Sequence, residues 1–141
     1  VKNSSMPVQD IQMFKDEGGE NCVIFNGPDE QFIAGRVMGA SAGIGGTYAV
    51  MPELFISADA CIERGDMKRA LEIQNAVNDI IYTALKCHGN LYSVFKEILK
   101  RKGMNIGTAR LPLAPVTAED EPVIRSINEK IDNAIAKFTA R

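Results

Sequence analysis

Three short β-prone words, each running into a small or glycine-rich segment and then into a helical pattern, constrain this 141-residue chain more than any other feature. They are Val1-Lys2-Asn3-Ser4-Ser5, Cys22-Val23-Ile24-Phe25-Asn26-Gly27-Pro28-Asp29-Glu30 and Ala42-Gly43-Ile44-Gly45-Gly46-Thr47. Strand, helix, strand, helix, strand, helix is a parallel α/β rhythm. In such sheets the chemistry gathers at the carboxyl ends of strands, where Lys2, Asp29, Glu30 and Gly46 fall.

The helical patterns are read from spacing and from their stops. Val8, Ile11 and Phe14 predict a short amphipathic helix over 7–17, with Pro7 at its first position, Ser5 as a possible cap and Gly18-Gly19 as its end. Residues 21–25 predict a strand, and Pro28 starts a second helix through Phe32, Ile33, Val37 and Met38 that Gly39 closes. A glycine-rich strand follows over 42–47, where missing side chains imply close approach of a backbone or a ligand. A third helix runs from Pro52 to Arg64 and stops at Gly65-Asp66. Beyond it, residues 67–87 place Ala70, Ile73, Val77, Ile80, Ile81 and Ala84 on one face, and Leu91, Val94, Phe95, Ile98 and Leu99 repeat the stripe. Prolines 112 and 115 keep 110–115 extended, and a last helix is capped by Thr117 with Ile124, Ile127, Ile131, Ile135 and Phe138 on its inner face. The expected organisation is three βα units over 1–66 and an all-helical part over 67–141.

Composition narrows the function classes. Sixteen basic residues against eighteen acidic ones leave a net charge of −2 with no block of like charge beyond Lys100-Arg101-Lys102, which argues against nucleic acid or an anionic membrane as partner. No apolar run has transmembrane length, and a cytoplasmic enzyme is the default expectation. Cys22, Cys61 and Cys87 are too irregularly spaced for a disulfide framework or a zinc site, so reduced thiols and no metal are expected. With His88 as the single histidine, a Ser-His-Asp or histidine-rich metal site is not expected from this chain alone, and His88 reads as a packing residue, as do Tyr48 and the methionines. Gly43-x-Gly45-Gly46 lacks the Lys-Ser/Thr of a phosphate loop and the third glycine of a dinucleotide fold, and no cofactor is expected. The chain opens without Met directly on an apparent strand end, so it reads as a fragment.

In this order and spacing, the three strand ends resemble the N-acetylneuraminate lyase and dihydrodipicolinate synthase family of class I aldolases, which are (β/α)8 barrels with extra C-terminal helices. The resemblance implies that the chain is the C-terminal part of a TIM barrel, carrying the sixth, seventh and eighth strands followed by the helical extension. The Gly107 to Pro115 stretch is similar to the family's Gly-x-x-Arg-x-Pro connector. Gly27-Pro28-Asp29-Glu30 resembles the lyase branch's Gly-x-Asp-Glu signature, and Gly43-Ile44-Gly45-Gly46-Thr47-Tyr48 is similar to that branch's last strand end.

On that resemblance Lys2 is the catalytic nucleophile, whose amine condenses with the ketone of an α-keto acid to an imine that draws electrons from the breaking C–C bond. On residue chemistry alone Lys2 reads as an exposed surface lysine at a frayed terminus, and it is the resemblance that reverses this. Ser4 points to the same side of an extended segment as Lys2, and the family implies that its hydroxyl meets a substrate hydroxyl; a helix cap is the other reading. Asp29 and Glu30 suit a helix start on structural grounds, while the lyase branch implies that they hold a polyol together with the Gly27 carbonyl. Gly46 stands where the lyases commonly place a substrate-contacting serine, and strand packing is its alternative reading.

The implied partners are pyruvate or another α-keto acid, a sugar, the N-terminal half of the barrel and further copies in a homotetramer. The family's carboxylate-binding Gly-Ser/Thr-Thr-Gly-Glu segment and tyrosine relay belong to earlier strands, so residues 1–141 alone are expected to be inactive. Three strands of eight would also leave two open edges. The expected reaction is cleavage of N-acetylneuraminate to N-acetylmannosamine and pyruvate. Dihydrodipicolinate synthesis, cleavage of a 2-keto-3-deoxy sugar acid, and a non-catalytic helical assembly role are the alternatives.

Overall fold

The computed structural model describes residues 1–139. Its three strands form one parallel sheet in the order β1 (Lys2–Asn3), β2 (Phe25–Asn26), β3 (Ala42–Gly43), with Lys2 opposite Phe25 and Asn26 opposite Gly43. Around them lie α1 (Gln9–Gly18), α2 (Phe32–Val37), α3 (Pro52–Glu63), α4 (Met67–Ala84), α5 (Leu91–Arg101) and α6 (Glu121–Thr139). The parallel rhythm is as the sequence predicts, but the strands are shorter. Asn21 lies in a turn, Cys22 to Ile24 and Ile44 to Gly46 are extended or bent chain, and Thr47–Ala49 is a 3-10 turn. The ladder nevertheless continues past each strand, with Gly27 N–H donating to the Asn3 carbonyl at 2.7 Å and Ile44 N–H to the Asn26 carbonyl at 2.9 Å.

Caps and stops explain most helix limits. Asp66 accepts the Arg69 N–H at 3.1 Å and opens α4, and Pro52 occupies the first turn of α3. Gly39 and Gly65 follow α2 and α3 at φ of 102° and 77°, conformations that glycine adopts without steric cost. Ser5 is not the cap of α1: its hydroxyl lies between the Asn3 and Asp10 carboxamide and carboxylate oxygens, each at 2.6 Å, and α1 begins only at Gln9.

The apolar stripes meet in one core. Ile73, Val77, Ile80 and Ile81 of α4 are essentially fully buried against Leu54 and Ala58 of α3, Val94 and Ile98 of α5, and Ile124, Ile127 and Ile131 of α6. Each such side chain contributes about 1.5–3 kcal/mol through burial. A second, smaller cluster of Ile11, Ile24 and Ala40 fastens α1 beneath β2. The turn between α4 and α5 is tied to the start of α6 by Asp120, whose carboxylate accepts the N–H groups of Thr117 (2.8 Å), His88 (2.6 Å) and Gly89 (3.2 Å). His88 is not a packing residue: its ring is largely exposed and lies 3.1 Å from Asp120 through Nδ1. Among the described residues, no helix is long and apolar enough to cross a membrane.

Candidate functional site

The carboxyl ends of the three strands open onto a cleft of about 330 Å³. Lys2, Ser4, Gly27, Asp29, Glu30 and Gly46 all border it, so the residues that the sequence singles out from three separate words converge. Strand alternation accounts for the first pair. Lys2 and Ser4 project into the open side, whereas Asn3 between them is buried on the helix-facing side.

Gly27 is where β1 and β2 close up. A Cβ there would lie 2.6 Å from the Asn3 carbonyl oxygen and would collide with the Ser4 hydroxyl. Any larger residue would therefore push Ser4 away from the cleft.

Asp29 does not cap its own turn. Pro28 is the N-terminal flank of the 3-10 turn Asp29–Gln31, without a side-chain cap, and the Asp29 carboxylate instead crosses to the third strand end. There Oδ2 accepts both the N–H and the hydroxyl of Thr47, at 2.9 and 2.6 Å. Oδ1 is buried without a partner against Gly45, whose missing side chain makes the room: a Cβ at Gly45 would lie 2.5 Å from Asp29 Cγ. Burial pushes the Asp29 carboxyl above its ordinary value and the neighbouring Glu30 charge adds to this, while the Thr47 bonds and the Lys2 charge oppose it. Glu30 is half-buried and carries no hydrogen bond to another side chain among the described residues.

The opposite wall is apolar and comes from the helical part. Ile81 of α4 and Leu91, Tyr92 and Phe95 of α5 line it. The rings of Tyr92 and Phe95 occupy the space beside Gly46, each 3.2 Å from where its Cβ would be. The absence of a side chain at Gly46 is thus matched by two aromatic rings. Thr47 and Tyr92 are the residues that sequence reasoning missed. A hydroxyl directly after a glycine-rich strand end was the available signal for Thr47; Tyr92 sits off the apolar stripe of α5, and its position depends on how α5 docks.

A larger groove of about 530 Å³ lies between α5 and the 105–116 segment. Its Lys96 ammonium donates to the Thr108 carbonyl at 3.1 Å and its Lys100 ammonium lies 3.7 Å from Glu97, so its cations are already engaged.

Known proteins match this chain along nearly its whole length. The family model described as dihydrodipicolinate synthetase family matches residues 1–131. The N-acetylneuraminate lyase of Mediterraneibacter gnavus is 52% identical over 139 residues, which cover 98% of this chain and 44% of that protein. The N-acetylneuraminate lyase of Clostridium perfringens is 32% identical over 108 residues, covering 77% of this chain and 37% of its own. Among solved structures, the wild-type Ruminococcus gnavus sialic acid aldolase superposes with a TM-score of 0.95 at 52% identity, over 98% of this chain and 46% of that one. The pyruvate complex of Fusobacterium nucleatum N-acetylneuraminate lyase superposes at 0.83 with 25% identity, over 93% and 44%. The chain therefore spans less than half the length of these relatives. With its parallel strand ends, its convergent cleft and a family match over 1–131, the chain belongs to the dihydrodipicolinate synthetase family.

Proposed function

We propose that this chain supplies the lysine and the sugar-binding acids of a Schiff-base aldolase that cleaves N-acetylneuraminate to N-acetylmannosamine and pyruvate. In this reading residues 1–66 are the last three βα units of a TIM barrel and 67–141 its helical extension, the rest of the barrel completing the cleft. The observation that carries the proposal is the convergence of Lys2, Ser4, Gly27, Asp29, Glu30 and Gly46 on one cleft. The 52% identity to an N-acetylneuraminate lyase and the likeness to a sialic acid aldolase described as a catalytic lysine mutant support both the substrate and the use of a lysine.

In the reaction the neutral Lys2 amine adds to the C2 ketone of the open-chain sugar acid and expels water, leaving a protonated imine. The iminium accepts the electron pair of the C3–C4 bond as the C4 hydroxyl loses its proton, which releases the aldehyde of N-acetylmannosamine and leaves an enamine. Protonation at C3 and hydrolysis of the imine return pyruvate and Lys2. Glu30 accepts hydrogen bonds from hydroxyls of the polyol, Asp29 offers it the one oxygen that Thr47 does not occupy, the Gly27 carbonyl takes another, and Ser4 meets a hydroxyl nearer the reacting carbons. Two acids beside an aromatic wall suit a substrate with hydroxyls on one side and C–H or acyl surface on the other.

Borohydride reduction in the presence of pyruvate, with the full-length enzyme that carries this chain, is expected to attach the three-carbon acid to Lys2. Parallel assays with N-acetylneuraminate, a 2-keto-3-deoxy sugar acid and aspartate semialdehyde are expected to show turnover of the first. No adduct at Lys2 would end the proposal, and preference for aspartate semialdehyde would move the enzyme to the synthase branch.

A further inference from the structure

A side chain of the helical layer stands inside the backbone of the acid-bearing turn. In a continuous α-helix starting at Pro28, the Ile33 N–H would donate to the Asp29 carbonyl four residues back. Here Ile33 N–H donates to Oε1 of Gln74, at 3.1 Å, and Gln74 Nε2 donates to the Asp29 carbonyl, also at 3.1 Å. The Gln74 amide therefore replaces one helical hydrogen bond by two, as a wedge between its donor and acceptor. The local chain shows the opening: Asp29–Gln31 is a 3-10 turn, Gln31 has φ −119° and ψ 26°, and α2 begins only at Phe32. A side chain inserted into the helical ladder is a known cause of such a break.

The wedge is built for its place. Gln74 is buried, and its second Nε2 hydrogen goes to Asn78 Oδ1 at 2.9 Å. Flipping the amide would set nitrogen against the Ile33 N–H and oxygen against the Asp29 carbonyl, so its orientation is dictated. On the other side of the turn, Asn26 Nδ2 donates to the Pro28 carbonyl at 2.7 Å. The two amides hold Pro28 to Ile33 between them, and Asp29 and Glu30 are the residues presented.

We propose that Gln74 is a positioning residue for sugar-acid recognition: by holding the Asp29–Ile33 helical bond open, it aims Asp29 at Thr47 and sets Glu30 on the cleft. This rests on the lyase reading. It also gives the helical part a task in the site beyond lining its wall, because the Gln74 amide is the hydrogen-bonded link from α4 to the turn. Lys2, on β1, makes no hydrogen bond to any of these groups, although its charge reaches Asp29, so pyruvate trapping is expected to respond far less to the wedge than sugar-acid recognition does.

The test is steady-state kinetics of Gln74→Leu and Gln74→Glu in the full-length enzyme, with pyruvate trapping at Lys2 as the parallel measurement. Leucine removes both bonds; glutamate keeps an oxygen for the Ile33 N–H but sets another against the Asp29 carbonyl. Both are expected to raise KM for the sugar acid by about ten-fold with kcat within about two-fold, and to trap pyruvate at the unsubstituted rate. Hydrogen exchange at the Ile33 amide is expected to change in both. A folded variant with unchanged KM overturns the proposal, and so does loss of pyruvate trapping in step with turnover, which marks general damage. If Gln74→Leu does not fold, Gln74→Glu is read by the same criteria. An unsubstituted enzyme that traps no pyruvate refutes the lyase reading itself, and the proposal with it.

Discussion

Replacing Thr47 by valine removes a hydroxyl from the Asp29 carboxylate while keeping the shape of the side chain and the backbone N–H bond. Both residues are buried, at 2% and 7% exposure, so water has little access to take the hydroxyl's place. A lost hydrogen bond to a charged group costs about 1.5–3 kcal/mol, against about 0.5–1.5 kcal/mol for a neutral one. The cost should therefore depend on whether Asp29 is ionised. Burial raises the Asp29 carboxyl, Thr47 opposes that rise, and its removal lifts the folded-state pKa further. A carboxyl whose folded pKa is raised contributes stability below its unfolded value, and that contribution is lost as pH rises through the folded pKa. The loss from Thr47→Val should thus be about 0.5–1.5 kcal/mol at acid pH and larger at pH 7, growing toward about 1.5–3 kcal/mol as the carboxyl ionises. Urea unfolding followed by circular dichroism at the two pH values measures both numbers. A loss below about 0.5 kcal/mol at pH 7, or an equal loss at both, would refute the reasoning.

The opposite pH dependence is expected at Asp120. Its burial would raise its carboxyl, but the N–H groups of Thr117, His88 and Gly89 outweigh this and hold it far below the usual carboxylate range. Its contribution is present above the unfolded value and lost as pH falls, so Asp120→Asn should cost at least about 2 kcal/mol at pH 7 and flatten the acid limb of stability; unchanged unfolding at pH 7 would count against it. In the full-length enzyme, Glu30→Gln should lower kcat/KM for the sugar acid about ten- to hundred-fold while pyruvate still traps at Lys2, whereas unchanged kinetics would return Glu30 to a structural role. Gly46→Ser should cost about 1 kcal/mol of stability, because its Cβ meets Tyr92 and Phe95, and less in a Tyr92→Ala background; equal costs in both backgrounds would show that the rings do not set the fit.

The elements that could be read from sequence are those whose signals are local. The α4 stripe of Ala70, Ile73, Val77, Ile80, Ile81 and Ala84 is buried along its length, and the Gly65-Asp66 stop and cap lie where the residue chemistry puts them. The strand-end residues of the site were legible because the carboxyl end of a parallel strand is a fixed place. What could not be read depends on contacts across the chain. A helix unbroken from Pro28 to Met38 is the local expectation, and it is Gln74, more than forty residues on, that breaks it. Asp29 looks like a cap in sequence, yet its carboxylate serves the turn at Thr47, eighteen positions away. Ser5 likewise had a capping position available and found Asn3 and Asp10 instead.

The glycines of the third strand end show how local composition and distant contacts combine. A Cβ at Gly45 would meet the Asp29 carboxylate, and a Cβ at Gly43 would lie 2.6 Å from Tyr48 Cζ. One step away in the structure, a Cβ at Gly35 would lie 2.6 Å from Asn26 Cγ. At all three positions the space of a missing side chain holds a polar group from elsewhere. Tyr48 shows what this costs, since its hydroxyl is buried beside the Asn26 side chain without a well-formed hydrogen bond while its ring stacks on Phe55 at 4.0 Å. Burial pushes its phenol upward, and the Asp29 charge adds to the rise, so the ring stays neutral beside the acid. Glycine density at a strand end thus reports less on flexibility than on lodging. It marks where carboxylate, amide and phenol groups are brought within one layer of backbone; in this chain Gly45 and Asp29 border the cleft that Lys2 lines, while Gly43 and Tyr48 border a separate apolar pocket with Phe32 and Phe55.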